Sequence, residues 1–295
     1  MEKRNGQLVI TEILSRAFNI CKDNVLEILK AIGVFMVPSF ILTMAMSFTF
    51  ITAVFFSVSY IYSYPYYDNS FSVIGAGTIL ILIIVGIITG ILSLFGTFVI
   101  TKILDDANKG NEVSWMSATK YIWEKKWSAL GLSILVALMM IIAMTVLFIL
   151  TLLFSLLTLG IGAIIAVPLA IAVIVVIIPL CSLFNSSFVV NDLGAMDAIR
   201  ETFLLFRKGY FWSTVGRLAA IAGIAMLLGI GLVILEFIPI LGVILSVIFP
   251  VVINIYVVAY LNILVLDRTK PQIDNFLGNS GKDNNQDDGF IDPIV

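Results

Sequence analysis

Six long apolar runs, none of which contains a charged residue, constrain the fold of this chain more than any other feature of its sequence. They cover residues 32–59, 73–101, 130–156, 161–189, 218–235 and 240–266. About 20 residues of helix cross the roughly 30 Å hydrocarbon core of a bilayer, and isolated strands would leave their backbone groups unpaired there. The runs therefore predict an all-α, polytopic integral membrane protein with six transmembrane helices.

The amino-acid composition agrees with a membrane protein and argues against several classes of function. Hydrophobic residues make up 60% of the chain and charged residues 12%, against about 45–50% and about 25% in soluble proteins. The chain has no His and two Cys, Cys21 and Cys181, so it lacks the commonest general base and the commonest metal ligand. We expect no cofactor, no metal site and no nucleic-acid partner.

Two boundaries between the apolar runs depend on weak turn signals. Residues 130–189 are almost continuously apolar, and a single helix of that length would extend about 90 Å. We therefore predict a turn at residues 158–162. Glu236 and Pro239 interrupt the last long apolar stretch and predict a second break.

The basic residues determine the predicted orientation. None of the 17 Lys and Arg residues lies in the predicted outer connections, residues 60–72, 155–162 and 236–239. Connections rich in Lys and Arg stay on the cytoplasmic side. The sequence therefore predicts a multi-pass protein of the cell (plasma) membrane with both termini in the cytoplasm.

A short basic stretch precedes each pair of apolar runs, at residues 10–30, 113–128 and 195–212. Aligned without gaps, Cys21-Lys22-Asp23-Asn24 falls on Trp123-Glu124-Lys125-Lys126 and on Phe206-Arg207-Lys208-Gly209. Apolar residues recur in these stretches at helical spacing, which predicts a cytosolic interfacial amphipathic helix ahead of each odd-numbered span. We predict three pseudo-repeats, at about 8–105, 110–192 and 193–271.

These repeats would form one membrane domain of residues 1–271. The composition changes after it, because residues 272–295 carry five acidic residues and one Lys. Such a segment cannot bury enough apolar surface to fold by itself. It predicts an acidic, disordered cytosolic tail.

Two segments resemble a known family, ITEILSRAFNICKDN near the start and FVVNDLGAMDAIRETFLLFRKGYFWSTVG after the fourth run. They are similar to the membrane domain of membrane-anchored glycerophosphodiester phosphodiesterases and to stand-alone six-span membrane proteins of the same type. The resemblance covers about residues 8–268 and implies a six-span helical fold. In those proteins the phosphodiesterase activity resides in a separate soluble barrel with His and acidic metal ligands. The activity does not carry over to a chain without His.

Basic residues at the ends of the short stretches form the first group of candidate site residues: Lys22, Lys125, Lys126, Arg207 and Lys208. Basic side chains beside a membrane attract anionic lipid headgroups. The alternative is that they set the topology and bind nothing.

Polar residues inside the apolar runs form the second group: Asn185, Asn254 and Asn262. An amide at such a position either lines a substrate path or hydrogen-bonds a neighbouring helix. The second run also contains Gly86-Ile-Ile-Thr-Gly90, a spacing that allows two helices to approach closely.

The function expected from the sequence is that of a non-enzymatic integral membrane protein, which supports a partner membrane or cytosolic protein or organises membrane lipids. The sequence contains no phosphate loop, serine-hydrolase elbow or metalloprotease motif, and no run carries the buried charge that ion-coupled transport usually requires. The alternative is a transporter, permease or lipid-handling protein, which the proline-interrupted runs favour. An intramembrane enzyme is the third hypothesis.

Overall fold

The computed structural model describes residues 8–63, 70–158, 162–206, 211–235, 238 and 241–280, which are almost wholly helical and include no strand. The helices are α1 (Ile10–Asp23), α2 (Val25–Ala31), a π-helical turn (Ile32–Met36), α3 (Val37–Ser63), α4 (Ser70–Lys109), α5 (Trp115–Glu124), α6 (Lys126–Leu157), α7 (Ala163–Val190), α8 (Ala195–Leu204), α9 (Phe211–Leu235) and α10 (Leu241–Ser280).

Five described helical stretches are long and apolar enough to cross a membrane. They are Val25–Thr52, Gly77–Lys109, Lys126–Leu157, Phe211–Val233 and Ile248–Arg268. The prediction of an all-α, multi-pass membrane protein is confirmed at this level. The long apolar stretch 130–189 divides where the sequence predicted a turn, because α6 ends at Leu157 and α7 begins at Ala163. The predicted break at Glu236 and Pro239 lies outside the described residues.

The chain forms two compact units. The first comprises Met1–Asp23 and Ile134–Val295, and the second comprises Asn24–Ser133. In the first unit α10 packs on α1, α7 and α9, and α7 also packs on α8. In the second unit α4 packs on α2, α3, α5 and the π-helical turn.

The three short helices α1, α5 and α8 bury residues at the same positions. In each of them the fourth and the eighth residues are inaccessible to solvent: Ile13 and Ala17, Ala118 and Ile122, and Ala198 and Thr202. This four-residue spacing places both residues on one face of a helix. Each short helix also packs on a long one, α5 on α4, α8 on α7 and α1 on α10.

The helices that follow the short ones share a second pattern of burial. Their fourth and seventh residues are buried: Ile28 and Ala31 in α2, Ala129 and Leu132 in α6, and Thr214 and Arg217 in α9. The single residues between α1 and α2 and between α5 and α6 also have similar backbone angles, φ −113° and ψ 18° at Asn24 and φ −97° and ψ 15° at Lys125. The buried pair of α9 differs in chemistry from those of α2 and α6, because Arg217 is charged.

The ends of α4 and α7 have the same hydrogen-bond geometry. Gly110 has a φ of 75° and Asp192 a φ of 54°, the left-handed conformation that commonly ends a helix. In each case the amide of the next residue donates to the carbonyl five residues back. The Asn111 amide donates to the Asp106 carbonyl at 2.9 Å, and the Leu193 amide donates to the Phe188 carbonyl at 3.1 Å. Both helices therefore end in a Schellman motif, and short connectors lead from them to α5 and α8.

A π-helical turn separates α2 from α3, and Pro38 follows it as the second residue of α3. A proline lacks the N–H that would pair with the carbonyl four residues earlier, here that of Val34, and a π-helical turn is one way to accommodate the interruption. This turn lies very close to α4, because a Cβ atom at Gly96 would stand 2.8 Å from the Cβ of Phe35. Gly90 has open space around it, and a Cβ at Gly86 would meet an atom of Met46 at an ordinary 3.7 Å. The closest approach is therefore at Gly96 and not at the predicted Gly86–Gly90 pair.

The last helix is longer than the sequence predicted. α10 continues through Pro271 to Ser280, so it extends into the segment that was predicted to be disordered from residue 272. Ile273, Phe276 and Leu277 recur there at helical spacing, and such a pattern favours helix despite the polar composition. Residues 281–295 lie outside the described part of the chain.

Candidate functional site

The three predicted asparagines occupy different environments. Asn185 on α7 is half-buried, and Asn254 on α10 is exposed. Asn262, also on α10, is completely buried. Asn254 and Asn262 are eight residues apart, which corresponds to about 12 Å along the helix. The candidate site residue Asn254 therefore lies on the surface of α10, whereas Asn262 lies in its packed part.

The predicted basic residues lie at the ends of the short helices. Lys22 is exposed in the last turn of α1. The ammonium of Lys125 lies 5.4 Å from the ring centroid of Tyr121, and that of Lys126 lies 4.5 Å from the ring centroid of Trp123. Both distances are within the range of cation–π attraction. Arg207 and Lys208 lie outside the described residues.

The most deeply buried ion pair among the described residues joins α9 to α10. Nη1 of Arg217 lies 3.1 Å from Oδ2 of Asp267, and the two side chains are 8% and 4% exposed. Removing two charges from water costs several kcal/mol per ion, so such a pair persists only when other hydrogen bonds complete it. The remaining atoms of this pair must therefore be accounted for.

The main chain of Leu8 completes the hydrogen bonding of the pair. The Leu8 amide donates to Oδ1 of Asp267 at 3.2 Å, and Nη2 of Arg217 donates to the Leu8 carbonyl at 2.9 Å. The acid therefore accepts from the N–H and the base donates to the C=O of the same residue. Hydrogen bonds that involve a charged partner are stronger than neutral ones, so this arrangement holds the start of α1 against α9 and α10.

Two tyrosines of α10 extend the cluster towards the middle of the helix. The Tyr256 hydroxyl donates to the Leu14 carbonyl on α1 at 3.0 Å, and the Tyr260 hydroxyl donates to the Arg217 carbonyl at 3.2 Å. A second arginine, Arg268, donates to the Ser213 hydroxyl on α9 at 2.8 Å. We call Arg217, Asp267 and Tyr256 the α1-contact cluster, because each of them bonds the main chain in or next to α1.

Sequence reasoning missed this cluster because the charges lie at the borders of apolar runs. Arg217 precedes the run 218–235 and Asp267 follows the run 240–266, so both were excluded from the spans by one residue. The sequence nevertheless contained a signal that Arg217 and Asp267 lie on the same side of the membrane. Successive spans joined by a short connection are antiparallel, so the residue before one span and the residue after the next belong to the same side of the membrane.

The second unit has a polar cluster of its own, at the end of α4. Lys109 Nζ lies 2.8 Å from Oδ2 of Asp105, and Lys102 Nζ lies 2.7 Å from Oδ1 of Asp106. The Lys102 ammonium also lies 4.8 Å from the ring centroid of Tyr121 on α5. In each pair the two residues lie one turn apart on α4, and such pairs stabilise the last turns of the helix. The contact with Tyr121 connects α4 to α5.

The start of α5 is held by an acid from α2. The amide of Trp115, the first residue of α5, donates to Oε2 of Glu27 at 3.0 Å. A carboxylate at a helix N-terminus satisfies an unpaired amide and interacts favourably with the helix dipole. Glu27 also forms an ion pair with Lys30 on its own helix.

No known protein family, curated protein or solved structure matches this chain. Within the described ranges, no three His, Cys, Asp or Glu side chains form a group that could hold a metal ion. The polar residues that the structure brings together are the α1-contact cluster in the first unit and the Lys–Asp pairs of α4 in the second.

Proposed function

We propose that the chain is a six-span protein of the plasma membrane with both termini in the cytoplasm. Its six spans form three repeated helix pairs, and a short cytosolic interfacial helix introduces each pair. The equal burial positions of α1, α5 and α8, and those of α2, α6 and α9, support three repeats. α7 supplies the sixth span, since it has 28 residues and no charged residue and would extend about 42 Å. The resemblance to the phosphodiesterase membrane domain is part of this proposal and rests on the sequence segments that carry it.

A pair of reporter fusions tests the topology. A reporter placed after Val295 should be cytosolic, and the same reporter inserted within residues 60–72 should be extracytoplasmic. An extracytoplasmic signal from the fusion after Val295 would contradict the orientation. An equal signal from both fusions would contradict the number of spans between them.

Within this architecture, the protein acts without turnover, as a membrane module that supports a partner protein or organises lipids. The observation that carries this function is the exposure of α6. Of its 32 residues, the buried ones are Ala129 and Leu132, near its start, and large side chains such as Ile134, Ile141 and Phe148 are exposed. Such an apolar surface is suited to contact with lipid tails or with another membrane helix.

Native mass spectrometry of the protein released from a mild detergent tests this function. We expect a second protein or a set of lipids to remain bound in a fixed ratio. Phe148→Ala, on the exposed surface of α6, should lower that ratio, while Ser133→Ala near the start of the same helix should leave it unchanged. Substrate-dependent flux in proteoliposomes that contain this protein alone would overturn the proposal.

The exposure of Asn254 favours a transporter or lipid-handling protein as the second candidate function. Its amide lies on the surface of the candidate span Ile248–Arg268, and an amide facing lipid without a partner is unfavourable. A polar path beside α10 would remove that cost. Asn254→Leu should abolish flux if the chain is a transporter, and should leave the bound lipids or partner in place if it is a membrane module.

A further inference from the structure

α1 occupies the place of a short helix that follows α10, although the chain does not connect them. α5 packs on α4 and α8 packs on α7, and in both cases a connector of a few residues joins the two helices. α1 packs on α10 in the same manner, yet one lies near the start of the sequence and the other near its end. The α10–α1 contact is therefore a junction without a connector.

Besides the packing of the buried Ile13 and Ala17, hydrogen bonds hold α1 in this place, and they are directed at its main chain. Asp267 accepts from the Leu8 amide, Arg217 donates to the Leu8 carbonyl, and Tyr256 donates to the Leu14 carbonyl. No side chain of α1 takes part in these three bonds. Because nearly every residue offers the same N–H and C=O groups, the cluster recognises the position of the main chain and is insensitive to its side chains.

The burial pattern indicates that Arg217 is placed there for this contact. It is the seventh residue of α9, and the seventh residues of α2 and α6 are the apolar Ala31 and Leu132. The charge thus occurs in the helix that packs on α10, and α10 is the long helix whose junction with a short helix has no connector. α1 also belongs to the first compact unit while α2 belongs to the second, with the helix interrupted at Asn24 between them.

We propose that Arg217, Asp267 and Tyr256 form a binding site for peptide main chain, whose ligand is the N-terminal segment from Leu8 to Leu14, and that this segment leaves and rebinds while α9 and α10 stay folded. The absence of a connector makes separation of α1 from α10 a local event. The buried charges then make rebinding favourable, because they regain two charge-assisted hydrogen bonds.

Cys21 provides a measurement of this separation in the full-length protein. It lies on α1, half-buried, and burial raises the pKa of its thiol to about 11. Cys181→Ala leaves Cys21 as the sole thiol of the chain. The rate at which a maleimide alkylates Cys21 at pH 7 in detergent micelles then reports how often α1 leaves its site.

The decisive variant is Arg217→Leu combined with Asp267→Leu in the Cys181→Ala background. It removes both charges together, which avoids an unpaired buried charge, and it gives α9 the residue type that α6 has at Leu132. We expect Cys21 to react about 10- to 100-fold faster than in the parent. Tyr256→Phe removes a single neutral hydrogen bond and should accelerate the reaction about 2- to 10-fold.

Arg268→Leu is the matched control, because Arg268 is as buried as Arg217 and donates to Ser213 on α9. In this variant the alkylation rate of Cys21 should stay within about twofold of the rate in the parent. Circular dichroism and gel filtration establish that each variant is folded. The proposal is overturned if the folded double variant reacts at the parental rate, or if Arg268→Leu accelerates the reaction as much. If the double variant does not fold, an unchanged rate in Tyr256→Phe overturns it.

Discussion

The α4–α5 junction and the α10–α1 junction hold a short helix against a long one by different means. In the first, residues 110–114 connect the helices, and the contacts are a Lys102–Tyr121 pair at 4.8 Å and a Glu27 carboxylate at the start of α5. In the second, no connector exists, and a buried ion pair binds the main chain of Leu8. A short connector keeps the effective concentration of its helix high, so single charged side chains suffice where the chain is continuous, and a buried ion pair is used where it is not.

Breaking the ion pair on one side is the strongest test of this comparison. Asp267→Asn leaves Arg217 buried and unpaired, which costs about 3–5 kcal/mol, whereas Lys102→Gln at the α4–α5 junction should cost less, because Lys109 still pairs with Asp105. The free energy of unfolding in mixed micelles measures both. Equal losses from the two variants would show that the junctions do not differ in the way described.

Closing the space between α4 and the π-helical turn should be the next largest effect. Gly96→Ala would place a Cβ 2.8 Å from that of Phe35, and overpacking of this kind costs about 1–3 kcal/mol. Gly90→Ala is the control, because its surroundings are open and Ala is the better helix former. The thermal midpoint of unfolding should fall for Gly96→Ala and not for Gly90→Ala. The reverse order would show that α4 is not held at Gly96.

Glu27→Gln should loosen the start of α5 without unfolding the second unit. The carboxylate that accepts the Trp115 amide becomes a neutral amide, so that bond weakens. Hydrogen exchange at the Trp115 amide should therefore become several-fold faster. Glu112→Gln, an exposed acid in the connector itself, should leave that rate unchanged. Faster exchange in both variants would assign the effect to net charge and not to the Glu27 contact.

The pH dependence of Cys21 alkylation sharpens the comparison further. Burial favours the neutral thiol and raises its pKa to about 11, and the thiolate is the reactive form. The rate should therefore rise about tenfold per pH unit up to about pH 10 with no plateau. When Arg217 and Asp267 are both Leu, α1 separates more often, and the inflection should move down from about 11 towards the ordinary value of about 8.5. An inflection near that value in the parent would mean that α1 is not held on α10.

The sequence predicts those parts of the fold that depend on the bilayer alone. Continuous apolar runs locate α4, α6 and α9, because a charge inside a span is costly at any position, although α4 ends eight residues after its run and α9 begins seven residues before its run. The same reasoning cannot find Arg217 and Asp267, which are far apart in the sequence and meet only because α9 and α10 pack together. The candidate asparagines show the same limit, since periodicity alone does not distinguish the exposed Asn254 from the buried Asn262.

The short helices differ in length, which the alignment of their sequences did not take into account. α1 has 14 residues, whereas α5 and α8 have 10 each, so α1 is longer by about one turn. Counted from the first helical residue, Trp123 corresponds to Phe18 and Phe203, and all three are exposed. The alignment had instead placed Trp123 opposite Cys21. A helix can be longer by one turn and keep the same pattern of faces, and the sequence alone does not reveal that difference in length.

The π-helical turn Ile32–Met36 makes the spacing between α2 and α3 sensitive to single-residue deletion. A π-helical turn contains one residue more than the α-helical turn it replaces, and each residue advances an α-helix by about 100°. Deleting one residue there would restore regular α-helix and rotate α2 by that angle relative to α3. Ile28 and Ala31, which are buried in the present register, would then turn away from α4. Sequences that share this fold should therefore lose or gain residues at this turn only together with a change in the buried positions of α2.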